Sequence, residues 1–472
     1  MKRRKITLIA LAAALVVAVS AILILPRLSP DPTSVKSYAE MLSEGDRLRF
    51  TDLAPLTSAA GDIERVEASL GRGGVRGWRF PDGSFFWIER SDRAFTLELE
   101  GFGVIEYGHL QSNGSLSHGS ASTPSIVRGS RYSAIVQPPL ARASEVVDGH
   151  KQPTLDGTNY VALDEFNGTV AYSDGKLRID CPGGGASDWW IYLTPGDIAA
   201  TGFDWMTDCT LEKFGIDNRM TIDGYYYRTP ADYTPSGDGY FFLNPAAYIA
   251  GKLARNDWNL DAHWLAAAML DIQREHYNDY GFVPTYPTSG WLSTDYSVAP
   301  GFYDTRFNTE LADALLTLGR LEVIPTFVDD ALRYAAFLNN HALTRSTDDG
   351  AGGIFVDDYW HPDGCERTHS SLNHQLAEAL FLIKTENADY AETAYRMIHA
   401  VESSASDWIK PDGDLHYARY PDGSFGGADY PYLTYNDLLA LDRCLGGDSA
   451  LERLMDAKRG WMDAKGITDY NK

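Results

Sequence analysis

Three stretches of this 472-residue chain gather side chains able to move protons or grip a sugar. The first, "YPTSGWLSTDYSVAPGFYDTRFNTELADALL" (286–316), runs through Gly301 into Tyr303, Asp304, Arg306 and Asn308. The second, "DDYWHPDGCERTHSSLNHQLAEALFLI" (357–383), carries Tyr359, Glu366, Arg367, His369, Asn373 and His374. The third, "PDGDLHYARYPDGSFGGADYPYLTYNDLL" (411–439), brings His416, Tyr417, Arg419, Tyr430, Tyr435 and Asn436. Each has a Gly/Pro/Asp loop, an arginine, aromatic hydroxyls and then a polar helix start. Carbohydrate sites have that composition: aromatic faces stack on sugar rings while Asn, His and Arg bind hydroxyls and carboxylates. The same residues also knit helix ends together, so for any one of them a structural role carries equal weight. Three clusters at corresponding junctions favour a site.

The elements that must position these loops follow from periodicity. "GVRGWRFPDGSFFWIERSDRAFTLELEGFGVIEY" alternates apolar and polar residues around a Pro81-Asp82-Gly83 turn and predicts an antiparallel hairpin; strand character returns at "GTVAYSDGKLRIDC". After residue 240 the period becomes helical in "NPAAYIAGKLAR", "WNLDAHWLAAAMLDIQREHY" and "FNTELADALLTLGRL", with further helices over 325–342, 367–385, 387–404, 433–445 and 447–461. The predicted fold is mixed: a β-rich antiparallel sheet region over 61–235, then an α/α toroid, an incomplete α/α barrel, over 240–472. Its loops would gather above a central cavity.

Ahead of these lie "MKRRK" and the apolar run Ile6–Leu25, long enough to span a bilayer, ended by Pro26 and Pro30. A cytoplasmic tail and membrane anchor over 1–30 and a stalk over 31–60 are expected, giving a single-pass cell-membrane protein with its catalytic part extracellular. Two Asn-x-Ser/Thr sequons, at Asn113 and Asn167, fit that address. A net charge of −24 argues against nucleic acid as a partner. The four cysteines lack metal-ligand spacing; one disulfide, with Cys181–Cys209 as a candidate, would suit an exported domain. No metal site is predicted, structural calcium is not indicated, and the chemistry considered requires no cofactor.

Residues 240–465 resemble the catalytic domain of the D-glucuronyl C5-epimerases. The family's Pro-Gly-Trp-Tyr junction is matched by "PGFY" (300–303), and its Ala-rich helix followed by Gly-Gly-Trp-Pro by "LAAAMLDIQ…YGFVP". Its closing motif is matched by "ARYPDGSFGGADYPYLTYNDLLAL", which supplies Arg419, Asp429, Tyr430 and Asn436. At "YWHPDGCERTHSSLN" the chain departs from the family's Tyr-Glu-Glu-Tyr-Pro. The resemblance implies a membrane-anchored isomerase with β domains before an α/α barrel, an acidic polysaccharide substrate, and a fold compatible with a homodimer. Tyr430 would be one proton-transfer group and Arg419 the carboxylate clamp, with Tyr359, Tyr303 or Glu366 on the opposite ring face. His369, Asn373, His374, Tyr435 and Asn436 would bind or orient substrate. Arg306 and Arg367 would join Arg419 in a basic pocket inside the acidic surface.

Removing the weakly acidic C5 proton of a uronate needs its carboxylate neutralised and a base and an acid flanking the ring. A polysaccharide lyase makes the same abstraction and then expels the C4 oxygen. An inverting glycoside hydrolase needs two opposed carboxyls, for which Asp304, Glu310, Glu366 and Asp429 are candidates. A sugar-binding surface protein with no turnover is the remaining alternative.

Overall fold

The computed structural model describes residues 51–468 apart from 71–72, 119–122, 143–159, 201, 235, 238 and 257–258. The expected tail and anchor, 1–30, lie outside the described residues, as does most of the stalk. Among the described residues no helix is long and apolar enough to cross a membrane.

The β half is built on one large antiparallel sheet. Strands Thr51–Ser58, Gly61–Leu70, Gly73–Arg79 and Phe85–Ser91 follow one another as neighbours, and Ser187–Pro195 and Tyr132–Arg142 continue the sheet. The predicted Pro-Asp-Gly turn closes its hairpin as expected. Ser84 N–H donates to Asp82 Oδ1 (2.9 Å), and Gly83 takes a φ of +90°, a left-handed conformation that costs glycine little. The alternation is not between core and solvent, however. Phe85 and Trp87 face one apolar cluster while Phe86 and Ile88 face another, and Trp189/Ile191 against Trp190/Tyr192 divide in the same way on the neighbouring strand. One face is covered by the small sheet of Phe95–Glu100, Lys176–Cys181 and Thr169–Ser173, the other by the helical half.

Two expectations need correction. The last part of the predicted stalk, Thr51–Ser58, is a strand paired with Gly61–Leu70; a register shift between Leu53 and Leu56 breaks the two-residue period that would have revealed it. Cys181 and Cys209 are both buried and unbonded: one lies on the small sheet, the other follows the short helix Asp204–Asp208 in the main core.

Among the described residues the helical half holds four antiparallel hairpins, Tyr248–Ala254 with Leu260–Gln273, Thr305–Arg320 with Phe327–Thr344, Leu372–Lys384 with Ala388–Ser403, and Leu433–Leu445 with Ser449–Ala464, with the short helices Gly290–Tyr296 and Ala405–Trp408 between them. The first helix of each pair packs on the first helix of the next, and the second helices of the last three pairs form an outer row. This is an arc of inner and outer helices, an incomplete α/α toroid. Capping side chains set several starts: Asn259, Asp304, Asn387 and Asp448 each accept backbone N–H groups of their helix's first turn.

The halves meet on Leu260–Gln273, where every residue from Ala262 to Gln273 is buried. Trp264 stacks on Phe80 (centroids 4.9 Å apart) and donates to Asp82 Oδ2 at 2.9 Å. Asp271 accepts from Trp78 Nε1 (2.8 Å) and Arg65 (2.8 Å) of the sheet and from Arg274 (2.8 Å) of its own helix end. Removing a buried carboxylate strands its donors, so Asp271→Ala should cost about 3 kcal/mol of unfolding free energy, read as a lower urea midpoint. An unchanged midpoint would show that the halves do not rely on this group.

Candidate active site

Two short ladders bring the three junctions together. Tyr303–Asp304 pairs with Tyr359–Trp360, setting Asp304 opposite Tyr359; Ser370–Ser371 pairs with His416–Arg419, which in turn pairs with Phe425–Ala428. Gly301, at φ +89°, turns the chain into the first ladder with Tyr286 and His361 packed closely against it. The inner helices Thr305–Arg320 and Leu372–Lys384 begin directly where ladder strands end.

Asp304 caps Thr305–Arg320, accepting the Phe307 N–H at 2.9 Å, and is 2% exposed. Burial, with the carboxyls of Asp358 and Glu310 adding to it, pushes its pKa up to about 8, so it holds its proton at neutral pH. Asp358 is equally buried and goes the other way. Burial opposes its charge, but His374, His369 and Ser371 outweigh it and hold the carboxylate below its usual range. Ser371 supplies both its N–H (2.9 Å) and its hydroxyl (2.5 Å). His369 Nε2 lies 3.3 Å from Asp358 Oδ2, and His369 Nδ1 lies 3.2 Å from the Tyr296 hydroxyl. His374 Nδ1 meets Thr305 Oγ1 at 2.8 Å, and burial lowers its pKa to about 4, leaving it neutral. Burial pushes the carboxyl of Glu378, a turn further along the same helix, well above the usual carboxylate range.

Aromatic rings wall this floor. Tyr359 packs among Trp291, Phe302, His369 and His374, its hydroxyl pushed well up by burial. Tyr417 lies against His369 and, edge-on, against Tyr430 (centroids 6.0 Å apart). Tyr430 is 48% exposed, and burial of its hydroxyl together with the nearby Asp304 carboxyl raises its pKa. The preceding residue is anchored from behind: Asp429 binds the fully buried Lys458 at 2.7 Å and takes the Thr434 hydroxyl at 2.6 Å.

Tyr359, His369, His374 and Tyr430 therefore gather around Asp304 and Asp358. The other predicted residues fall elsewhere. Tyr303 is on the opposite side of its ladder from Asp304, wholly buried against Phe282, Phe337 and His341, with its hydroxyl 2.8 Å from that of Tyr334. Arg306 is engaged by Asp437 (2.7 and 3.1 Å), Glu310 (2.8 Å) and the Asn373 carbonyl (2.7 Å). Arg367 is held by two bonds to Asp357 (2.5 and 2.9 Å). Arg419 lies over the Phe355 ring (4.5 Å), with Asp349 and Asp422 as its acidic neighbours, while those of Tyr430 are Asp304, Asp429 and Asp358. Glu366 is exposed, its N–H donating to the Tyr296 carbonyl. Tyr435 faces the outer helix under Arg459 (5.7 Å). Asn373 and Asn436 each keep a buried side-chain oxygen without a partner among the described residues. The expected basic pocket is thus an acidic one, because aspartates occupy two of its three arginines.

Asp358, Tyr296 and Trp291 were not among the predicted site residues, and Tyr417 was named in the third stretch without a role. Asp358 lies in the two-residue link between the strands Ile354–Val356 and Tyr359–Trp360, where no periodicity marks it, and its neighbour Asp357 is taken by Arg367. A cavity of about 860 Å³ lies elsewhere, between the large sheet and His276, but its arginines are matched, Arg90 by Asp188 and Asp223 and Arg76 by Glu275. Among the described residues no cluster of His, Cys, Asp and Glu fits a metal ion.

No protein-family model matches the chain, and no curated protein matches it. Among solved structures it is similar to a family 76 glycoside hydrolase, an α-mannanase from Bacteroides thetaiotaomicron, at 16% identity and a TM-score of 0.39, over 57% of this chain and 72% of that one. It is similar to a D-mannose isomerase at 13% identity and a TM-score of 0.35, over 47% of this chain and 61% of that one. A cellobiose 2-epimerase from Spirochaeta thermophila gives 15% identity and a TM-score of 0.35, over 47% and 58%. The chain thus spans about three-fifths of the length of the last two. Similarity at this level assigns no activity.

An acid whose folded pKa is raised weakens the fold as pH rises from its unfolded value, 3.8, through the folded one, about 8, because the unfolded chain releases the proton first. Asn caps helices well and mimics the neutral acid. Asp304→Asn should therefore be more stable than the parent at pH 8.5 and gain less at pH 4, as measured by thermal melting. An equal gain at both pH values would place the titration elsewhere.

Proposed function

We propose that this chain is a carbohydrate-active enzyme that cleaves glycosidic bonds of a neutral polysaccharide, with Asp304 as the general acid. One observation carries the reading: a protonated, buried carboxyl stands near an ionised one in an aromatic-walled cleft whose arginines Arg306 and Arg367 are already engaged by carboxylates. Neighbouring acids with pKa values pushed apart divide the labour of acid and stabilising anion. An acidic cleft stabilises the positive charge that develops on a sugar ring during glycosidic cleavage and opposes the negative charge of an enediolate. Asp304 would give its proton to the leaving oxygen as the anomeric bond breaks. The ionised Asp358, behind His369, would keep the cleft negative toward the charge left on the ring.

Uronyl C5-epimerisation is the second reading, and two observations favour it. Tyr430 is half exposed beside Asp304, and among the described residues no hydrogen bond ties the Arg419 guanidinium. In that chemistry a neutral Asp304 would hydrogen-bond the substrate carboxylate, Arg419 would add charge at the rim, and Tyr430 would carry the C5 proton. On either reading we place the cleft outside the cell membrane, on the strength of the basic start and the apolar run Ile6–Leu25.

The full-length protein in detergent, incubated in heavy water with neutral glucans and mannans and with uronate polymers, separates the readings. New reducing ends on a neutral polymer are the expected result, with the rate falling as pH rises through about 8, where Asp304 loses its proton. Asp304→Asn should lower that rate by at least about 100-fold. Deuterium at C5 of an uncut uronate would overturn the hydrolase reading in favour of the epimerase, and an unsaturated end would mean a lyase. No turnover on any polymer would leave a binding protein.

A further inference from the structure

The buried row Asp358–His369–Tyr296, in which His369 Nδ1 meets the Tyr296 hydroxyl and Nε2 stands 3.3 Å from Asp358 Oδ2 with no hydrogen bond made among the described residues, has no part in the acid step. Asp358 cannot rotate freely, because Ser371 fixes it through two groups. It faces His369 Nε2 at 3.3 Å, an arrangement that favours the tautomer carrying its proton there. His369 Nδ1 is then an acceptor, and the hydroxyl of Tyr296 stands 3.2 Å away. All three side chains are buried, at 2%, 2% and 8% exposure, and the imidazole is clamped between the rings of Trp291, Tyr359 and Tyr417. A carboxylate, an imidazole and a hydroxyl in sequence are the arrangement by which a weak hydroxyl is made able to give up its proton, and as it does so it can accept one from water. Tyr296 ends the helix Gly290–Tyr296, which lies beside Tyr359 and so borders the same cleft as Asp304.

We infer that Tyr296, with His369 and Asp358 behind it, is the proton-accepting arm opposite Asp304; this rests on the hydrolase reading above. A water would give its proton to the Tyr296 oxygen as the Tyr296 proton passes to His369 Nδ1. The water oxygen bonds to the anomeric carbon while the bond to the leaving oxygen breaks and Asp304 protonates it. The step leaves Asp304 ionised and His369 protonated against Asp358, and exchange with solvent restores both. Asp358 and His369 are positioning residues in this scheme, and Tyr296 is the group that meets the reactant.

The test uses the full-length protein labelled with ¹⁵N-histidine. His369 should show a protonated Nε2 and a bare, hydrogen-bonded Nδ1, and Tyr296→Phe should shift the Nδ1 resonance while leaving that of His374 in place. With the polymer found to be cut, Tyr296→Phe should lower kcat by about 100-fold or more with KM nearly unchanged. If the polymer is cut and Tyr296→Phe keeps the parent's kcat, the arm is overturned while the hydrolase reading stands. If no polymer is cut, the hydrolase reading fails and the arm falls with it; a proton on His369 Nδ1 overturns the arm whether or not a polymer is cut.

Discussion

One guanidinium determines much of this architecture. Arg306 rises from its own inner helix, takes the Asn373 carbonyl at the start of the next, and binds Asp437 of the one after with two parallel bonds. Three inner helices are thereby fixed around one planar fork, the geometry that suits arginine better than lysine. Because the charge is balanced there, it is not available to the carboxyls beside it. Burial pushes Asp437 up to about 6 even in contact with Arg306, and Asp304, which lacks such a contact, goes further. The clamp that closes the arc and the proton retained on Asp304 are two sides of one electrostatic arrangement.

The same arrangement explains which parts of the molecule are legible in the amino-acid order. Helices and the Pro81-Asp82-Gly83 hairpin are encoded locally, by period and by turn chemistry, and they fall where the pattern puts them. The three junctions are legible too, because their composition differs from that of the helices they feed. What composition cannot give is the side of a two-residue ladder on which a side chain falls. Tyr303 and Asp304 are adjacent, yet one is sealed between hairpin layers and the other lines the cleft. Arg306 and Arg367 read as substrate clamps only while their partners, Asp437 and Asp357, are unknown; one of those partners is more than a hundred residues away. Tyr435 shares its neighbourhood with Tyr430 in the chain, but the helix that begins between them turns it toward the outer row.

The β half shows why an alternating pattern can mislead about solvent. Its central strands bury both faces, with Trp87 and Trp189 on one side and Trp190 and Tyr192 on the other. Sheets covered on both sides need large apolar residues at consecutive positions, and "FFWIER" and "DWWIYL" supply them.

From Ala262 to Gln273 this helix has no solvent side: sheet residues cover what the hairpins do not, and Asp271 and Trp264 each answer to partners in the other half. A helix apolar all round is at home only in an interior. The change of period near residue 240 therefore marks a boundary in the writing of the chain and not in its cooperativity. Cut there, the helical part would carry an exposed apolar column in which Asp271 keeps Arg274 but loses Trp78 and Arg65, a surface prone to self-association, so the sheet serves as an internal chaperone for the arc that holds the cleft.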